Sequence, residues 1–277
     1  MPKLKKHLSQ NFLRNPEVVD AIVDGAQVNA QDTVLEIGPG DGVLTLKLLE
    51  VAKQVVAVEF DEHWAEVLQA KTQGFFHFDL QVGNFLDMAD AVFEKLPTKV
   101  KVVANLPYHI TTPILERLIT HAHKIESMTL MVQKEVAERI AAKRGSEHGL
   151  LSLYIQLYNH VEILFIVKRE NFKPVPGVDS AVMHLVPRFD LLAQIKDLKN
   201  FRKLLRQAFW AKRKTLKNNF SKAPYWRLSV EQIQEIFTRF EISEKARAEE
   251  LSLEQWLGIM AYLEEPLEGA SPHSQSS

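Results

Sequence analysis

Val34-Leu-Glu-Ile-Gly-Pro-Gly-Asp-Gly-Val-Leu-Thr45 decides the fold of this 277-residue chain. An apolar run breaks into a glycine turn, and helical spacing resumes at Val43. That is a buried strand feeding a helix, the opening unit of an α/β sheet. Outward from it the alternation recurs. Residues 54–58, 77–82, 99–104 and 128–132 read as further strands, and 15–29, 43–51, 61–71, 112–121 and 134–142 as helices. This spacing predicts a doubly wound, Rossmann-like, largely parallel sheet with its ligand beyond the carboxyl ends of the strands. Residues 161–167 and 180–186 are placed as a hairpin edge. From Phe189 the pattern turns all-helical, over 191–208, 212–220, 229–239 and 252–263. The expected division is an α/β domain over 1–188, a small helical domain over 189–264, and a disordered Pro-, Gly- and Ser-rich tail over 265–277.

Composition narrows the chemistry. With no cysteine, disulfides, thiolate metal sites and a cysteine nucleophile are excluded. The start of the chain carries no apolar signal region, and no run approaches a membrane span, so a cytoplasmic protein without membrane contact is expected. His121 and His123 share no ligand spacing with a carboxylate, so no metal is assigned. A monomer is expected. The net charge of −1 is uninformative, but its distribution is not. Ten Lys and Arg and no Asp or Glu fall between Lys199 and Arg227. Such a block reads either as a solvated helix face or as a local polyanion contact; the missing acids favour phosphate.

In the glycine turn the third glycine, Gly42, follows the second, Gly40, by two residues. A dinucleotide fingerprint has three, so the helix can meet a pyrophosphate. The shorter spacing instead suits a methionine moiety and a ribose. Glu59 ends the next strand, where a carboxylate accepts both hydroxyls of a ribose. A tight turn without a ligand and a nicotinamide dinucleotide site are the weaker alternatives.

Val103-Ala-Asn-Leu-Pro-Tyr108 closes the fourth strand. The Asn105 side-chain carbonyl and the Leu106 backbone carbonyl can accept the two hydrogens of an exocyclic amine. Tyr108 offers a stacking face for an extruded base. Methyl transfer from a sulfonium to such an amine needs positioning and charge stabilisation more than a strong base. Asn171-Phe-Lys-Pro-Val-Pro-Gly-Val-Asp-Ser180 is stiffened by two prolines, and its Phe172 is placed as a second ring on the far side of the base. Alone, Phe172 reads as a core aromatic beside a turn.

These residues together resemble the ribosomal RNA adenine dimethyltransferase family. The likeness runs from about Lys5 to Leu257 and covers Ser-Gln-Asn-Phe-Leu13, Leu35-Glu-Ile-Gly-Pro-Gly40, Glu59, Asn-Leu-Pro-Tyr108 and the segment at 172–180, in family order. Ala208-Phe-Trp-Ala-Lys-Arg-Lys-Thr-Leu216 and Arg247-Ala-Glu-Glu-Leu-Ser252 resemble the small-subunit members rather than the large-subunit resistance methylases. The resemblance implies S-adenosylmethionine as donor and the small ribosomal subunit and its rRNA as partner. It implies dimethylation of two adjacent adenosines in a hairpin loop near the rRNA 3′ end, late in subunit assembly. It places Asn11 and Leu13 over the cofactor, Gly38 and Gly40 in its loop, Glu59 on its ribose, Asn84 at its adenine, and Asn105 at both cofactor and target. Lys212, Arg213, Lys214 and Lys217 are placed on rRNA phosphates. The family usually has Asp at position 84, Gly at position 9 and Pro-Gly at 143–144; here stand Asn84, Ser9 and Lys143-Arg144. The rivals are a large-subunit methylase and an assembly factor that keeps the fold without turnover.

Overall fold

The computed structural model describes residues 11–265. Ser9, Gln10 and all but the first residue of the expected tail lie outside the described residues. The strands are β1 (Phe12–Leu13), β2 (Thr33–Ile37), β3 (Gln54–Glu59), β4 (Phe78–Val82), β5 (Val100–Asn105), β6 (Ile125–Gln133), β7 (Asn159–Val167), β8 (Phe172–Lys173) and β9 (Ser180–Pro187). Seven form one sheet in the order β4-β3-β2-β5-β6-β9-β7, and β1 pairs with β8 in a separate ribbon. The strands from β4 to β6 are parallel. β9 runs antiparallel to both β6 and β7, so the expected hairpin edge is entered by its later strand first.

The helices of this part are α1 (Pro16–Gly25), α2 (Val43–Val51), α3 (Glu62–Lys71), α4 (Phe85–Lys95), α5 (Thr111–Thr120), α6 (Lys134–Ala141) and α7 (Leu150–Tyr158). The central strands are covered on both faces, which is why β2, β3, β5 and β6 are mainly apolar, whereas the edge strands β4 and β7 are only partly buried. Val34, Val55 and Val103 face a core cluster with α1 and α2, whereas Leu35, Val56 and Val102 face one with α4 and α5. Each such side chain is worth about 1.5–3 kcal/mol of burial. Two helices go beyond the sequence expectation, α4 and α7. α4 buries Phe85, Ala89, Val92 and Phe93, one stripe at helical spacing, and begins on the Asn84 cap.

Register then places the chemistry. β2 and β3 pair from Thr33↔Gln54 to Ile37↔Val58, and the Gly38 N–H donates to the Val58 carbonyl at 2.9 Å. Glu59 therefore arrives beside the glycine turn. On the other side Leu35 pairs with Val102, so Asn105 ends β5 level with that turn. The chain order reverses between β2 and β5, the switch point where α/β sheets open a crevice.

The chain divides into two units. One runs to Ala142 and resumes from Leu151 to Arg188; the other takes Lys143–Leu150 and everything described from Phe189 onward. A contiguous division misses residues 143–150, which belong with the helical unit through a Gly145 N–H to Glu249 carbonyl bond of 2.9 Å. That unit holds α8 (Leu198–Ala208), α9 (Leu216–Lys222), α10 (Val230–Arg239) and α11 (Leu253–Glu264). α8 starts later than its expected 191 because Asp197 caps it, accepting from the Lys199 and Asn200 N–H groups. α9 starts at Leu216 rather than 212, behind its Thr215 cap. Lys212, Arg213 and Lys214 thus sit on a turn and not on a helix. Among the described residues no helix is long and apolar enough to cross a membrane.

Candidate active site

A cavity of about 320 Å³ opens at the carboxyl ends of β2, β3 and β5, and both sequence motifs line it. The glycine turn forms its floor. Gly40 has φ +57, and a Cβ there would meet the Phe12 ring at 2.9 Å, so only glycine lets the β1 segment lie across the turn. Phe12 in turn leans on Trp64, with ring centroids 4.6 Å apart. Arg14 ties the same segment down through Asp41.

Glu59 is buried, and backbone donors hold it from two sides. Its Oε2 accepts the Gly40 N–H at 2.9 Å and its Oε1 the Asp61 N–H at 2.8 Å. Burial raises its pKa, and those two N–H groups oppose the rise. Each oxygen keeps a second lone pair for a hydroxyl. The neighbouring Phe60 is 60% exposed yet lines the cavity, an apolar face next to the carboxylate.

Glu36 is the residue the sequence reading missed. It stands inside β2, 1% exposed, and it lines the cavity. Its Oε2 has no hydrogen-bond partner among the described residues. Burial, with the charge of Glu59 added and the neighbouring Thr45 hydroxyl opposing, pushes its pKa up to about 8. A buried carboxylate with one oxygen unpartnered is costly, and a cation seated against it removes the cost. The signal was visible: one charge inside a strand of five residues, all of them buried.

Asn84, expected at an adenine, lines the cavity but is committed locally. Its carbonyl oxygen accepts the Leu86 N–H at 3.1 Å, capping α4, and its amide donates to Asp87 at 2.8 Å. An amine contact there would share an oxygen already used by the helix.

Asn105 donates its amide nitrogen to the Asn11 carbonyl at 3.4 Å, leaving the side-chain oxygen as the acceptor end. The Leu106 N–H is fixed to the Met131 carbonyl at 3.0 Å. Tyr108 begins a 3-10 turn, half-buried, with its hydroxyl 2.6 Å from the Ser180 hydroxyl. Burial raises the Tyr108 pKa, so the phenol is neutral at pH 7. Asn11, Leu13, Gly38, Gly40, Glu59, Asn84, Asn105, Leu106 and Tyr108 therefore surround one cavity.

Phe172 corrects the expectation of a second ring. It is 2% exposed and packs in the core with Leu13, Val167 and Val182, outside the cavity wall. Pairing of β8 with β1 brings Phe172 opposite Leu13, and the ring becomes the footing of the β1 segment. Lys212, Arg213, Lys214 and Lys217 belong to the helical unit. All four are exposed, but Lys217 shares its charge with Glu244 at 2.9 Å.

Chemically, the cavity suits a nucleoside that carries positive charge: a ribose acceptor, an apolar face, and a buried carboxylate in want of a cation. Beside it stands a polar corner for an amine.

Comparison with known proteins agrees. The model of the family described as ribosomal RNA adenine dimethylase matches residues 1–265. A protein named ribosomal RNA small subunit methyltransferase A from Clostridium acetobutylicum is 39% identical over 257 residues, 92% of this chain and 91% of the relative. The protein of that name from Fusobacterium nucleatum is 37% identical over 264 residues, 95% of this chain and 98% of the relative. Among solved structures, a dimethyladenosine transferase from Plasmodium falciparum superposes with TM-score 0.75 at 27% identity, covering 91% of this chain and 97% of its own. The 23S rRNA methyltransferase ErmE gives 0.73, also at 27% identity, with 90% and 98% covered. With the glycine turn, Glu59 and Asn105 lining one cavity, and a likeness that spans the chain, this protein belongs to the ribosomal RNA adenine dimethylase family.

Proposed function

We propose that the protein moves methyl groups from S-adenosylmethionine to the exocyclic amines of two adjacent adenosines in a hairpin loop near the 3′ end of small-subunit rRNA. The observation that carries this reading is the placement of Asn105 and Leu106 in the same cavity as Glu36 and Glu59. A 23S rRNA methyltransferase shares this fold at 27% identity, so the fold alone does not choose between the two ribosomal subunits. Small-subunit relatives at 37–39% identity over nearly their whole length favour the small one.

The cavity fits the donor on its own chemistry. Glu59 would hold the ribose, Phe60 would lie against the adenine, and the unpartnered Oε2 of Glu36 would meet the positive charge of the methionine end. When bound, the donor supplies an electrophilic methyl on a sulfonium. The protein's part is to orient and to stabilise. The Asn105 oxygen and the Leu106 carbonyl take the two amine hydrogens, which turns the nitrogen lone pair outward. Positive charge develops on that nitrogen as the bond forms, and both acceptors then bind more strongly. Tyr108 gives the extruded base a face, worth about 1–3 kcal/mol. The exposed Lys212, Arg213 and Lys214 would hold rRNA phosphates.

The test is primer extension across the 3′ end of small-subunit rRNA from cells with and without the gene. Dimethylated adenines stop the polymerase. Stops that persist without the gene overturn the assignment.

A further inference from the structure

Tyr108 and Ser180 come from different motifs, yet their hydroxyl oxygens lie 2.6 Å apart. Their surroundings are held in different ways. Ser180 is fully buried and opens β9, where it pairs with Gln133 of β6 on one side and Val167 of β7 on the other. The preceding Asp179 is clamped as well. Its carboxylate takes the Lys168 ammonium at 2.9 Å and the Arg169 N–H at 3.0 Å, and its carbonyl accepts the Lys134 N–H at 3.0 Å. The Ser180 hydroxyl therefore sits on a frame with strands on both sides.

Tyr108 stands on one 3-10 turn, Tyr108–Ile110, tied locally by the Ile110 N–H and the Thr111 hydroxyl, both donating to the Pro107 carbonyl at 3.2 Å. A ring on such a turn has two side-chain torsions to settle. A bond at the far end of the ring fixes the first directly, and the preference of a phenol's O–H and lone pairs for the ring plane ties the second to the direction of the Ser180 hydroxyl, before any substrate arrives. Strand order makes the span concrete: β5, whose end leads into the Tyr108 turn, is separated from β9 by β6.

We propose that Ser180 is a positioning residue for methyl transfer, its hydroxyl anchoring the Tyr108 phenol so that the ring presents a fixed face to the target base. The segment at 171–180 then serves the site through its last residue and not through Phe172. This rests on the reading of Tyr108 as the base's stacking face.

The bond can be broken from either end. Ser180→Ala and Tyr108→Phe are made in the full chain, with the double variant, and kcat and KM are measured on small subunits lacking the methyl groups. Each single variant is expected to lower kcat about two- to tenfold, the worth of one net hydrogen bond. Affinity for S-adenosylmethionine, read by calorimetry, stays as in the parent. The double variant falls no further than the worse single one, since both remove one interaction. A purely structural role would lower the thermal midpoint and leave kcat alone. Unchanged kcat in Ser180→Ala, or the same loss from it in the Tyr108→Phe background as in the parent, overturns the proposal. If Ser180→Ala does not fold, Tyr108→Phe decides, because it leaves the strand untouched; unchanged kcat there overturns the proposal equally. Tyr108→Ala separates the two claims. Full turnover in that variant removes the stacking role itself, whereas its inactivity beside an unaffected Ser180→Ala removes only the anchor.

Discussion

Replacing Glu36 by glutamine keeps the side chain's size and removes its proton chemistry. The carboxyl is 1% exposed, its Oε2 is unpartnered, and burial followed by the charge of Glu59 places its pKa at about 8. At pH 7 the free protein therefore holds this proton roughly nine-tenths of the time. A cation seated against Glu36 needs the ionised form, so binding must first expel the proton, at about 1.4 kcal/mol at pH 7. The sign follows: the proton is bound in the free protein and lost in the complex, so affinity rises with pH. Between pH 6 and pH 7 the rise is roughly tenfold, and it levels off above about 8. Glu59 faces Glu36 and also has a raised pKa, Asp41 is paired with Arg14, and Asp61 and His109 line the same cavity. The comparison is therefore between parent and Glu36→Gln, with His109→Gln as a control. Calorimetry at pH 7 in two buffers of different ionisation enthalpy counts the protons released on binding S-adenosylmethionine. The parent is expected to release about one more than Glu36→Gln, to bind more tightly, and to keep that difference in the His109 control. Equal proton counts and equal affinities in parent and Glu36→Gln would refute the reasoning. The free protein carries the mirror effect. The stability that Glu36 contributes is full below about pH 4.5 and is lost as the pH climbs through about 8. Glu36→Gln should thus raise the thermal midpoint at pH 8 far more than at pH 5.

Asn105→Ala should cost kcat about a hundredfold or more while leaving KM for the subunit near the parent's, since its oxygen is most useful once charge develops on the amine; steady-state kinetics on unmethylated subunits decides. Phe172→Ala should lower stability by about 3–5 kcal/mol, as emptying a core site does, and denaturant unfolding measures it. A stacking residue open to the cavity would instead change turnover and spare stability. Arg213→Glu with Lys214→Glu should weaken subunit binding and flatten the log–log salt dependence by about 0.7–0.9 for each lost cation, leaving donor affinity unchanged. Lys217→Ala should flatten it less, because Glu244 already shares that charge.

What the sequence could and could not say follows from where the determining contacts lie. The strand–turn–helix at 34–45 is legible because a sheet covered on both faces demands apolar runs, and the glycines mark a turn whatever packs above it. Glu59 is legible for the same reason: in-register parallel pairing carries the end of β3 to the end of β2. Phe172 is half legible: alone it reads as the core aromatic it is, but a two-residue strand gives no period to set that reading against a second ring on the base, and its pairing with β1 decides it. Residues 143–150 read as a loop of the first domain because nothing local records a bond to Glu249 more than a hundred positions on. Glu36 is the instructive case. Its charge is plain in the sequence, but a motif read as a whole absorbs the anomaly within it. Buried carboxylates are rare unless paired, and this one has no protein partner on Oε2. The missing partner is then to be sought in what the cavity binds, and that turns a violation of the strand's own pattern into an argument about the charge of the ligand.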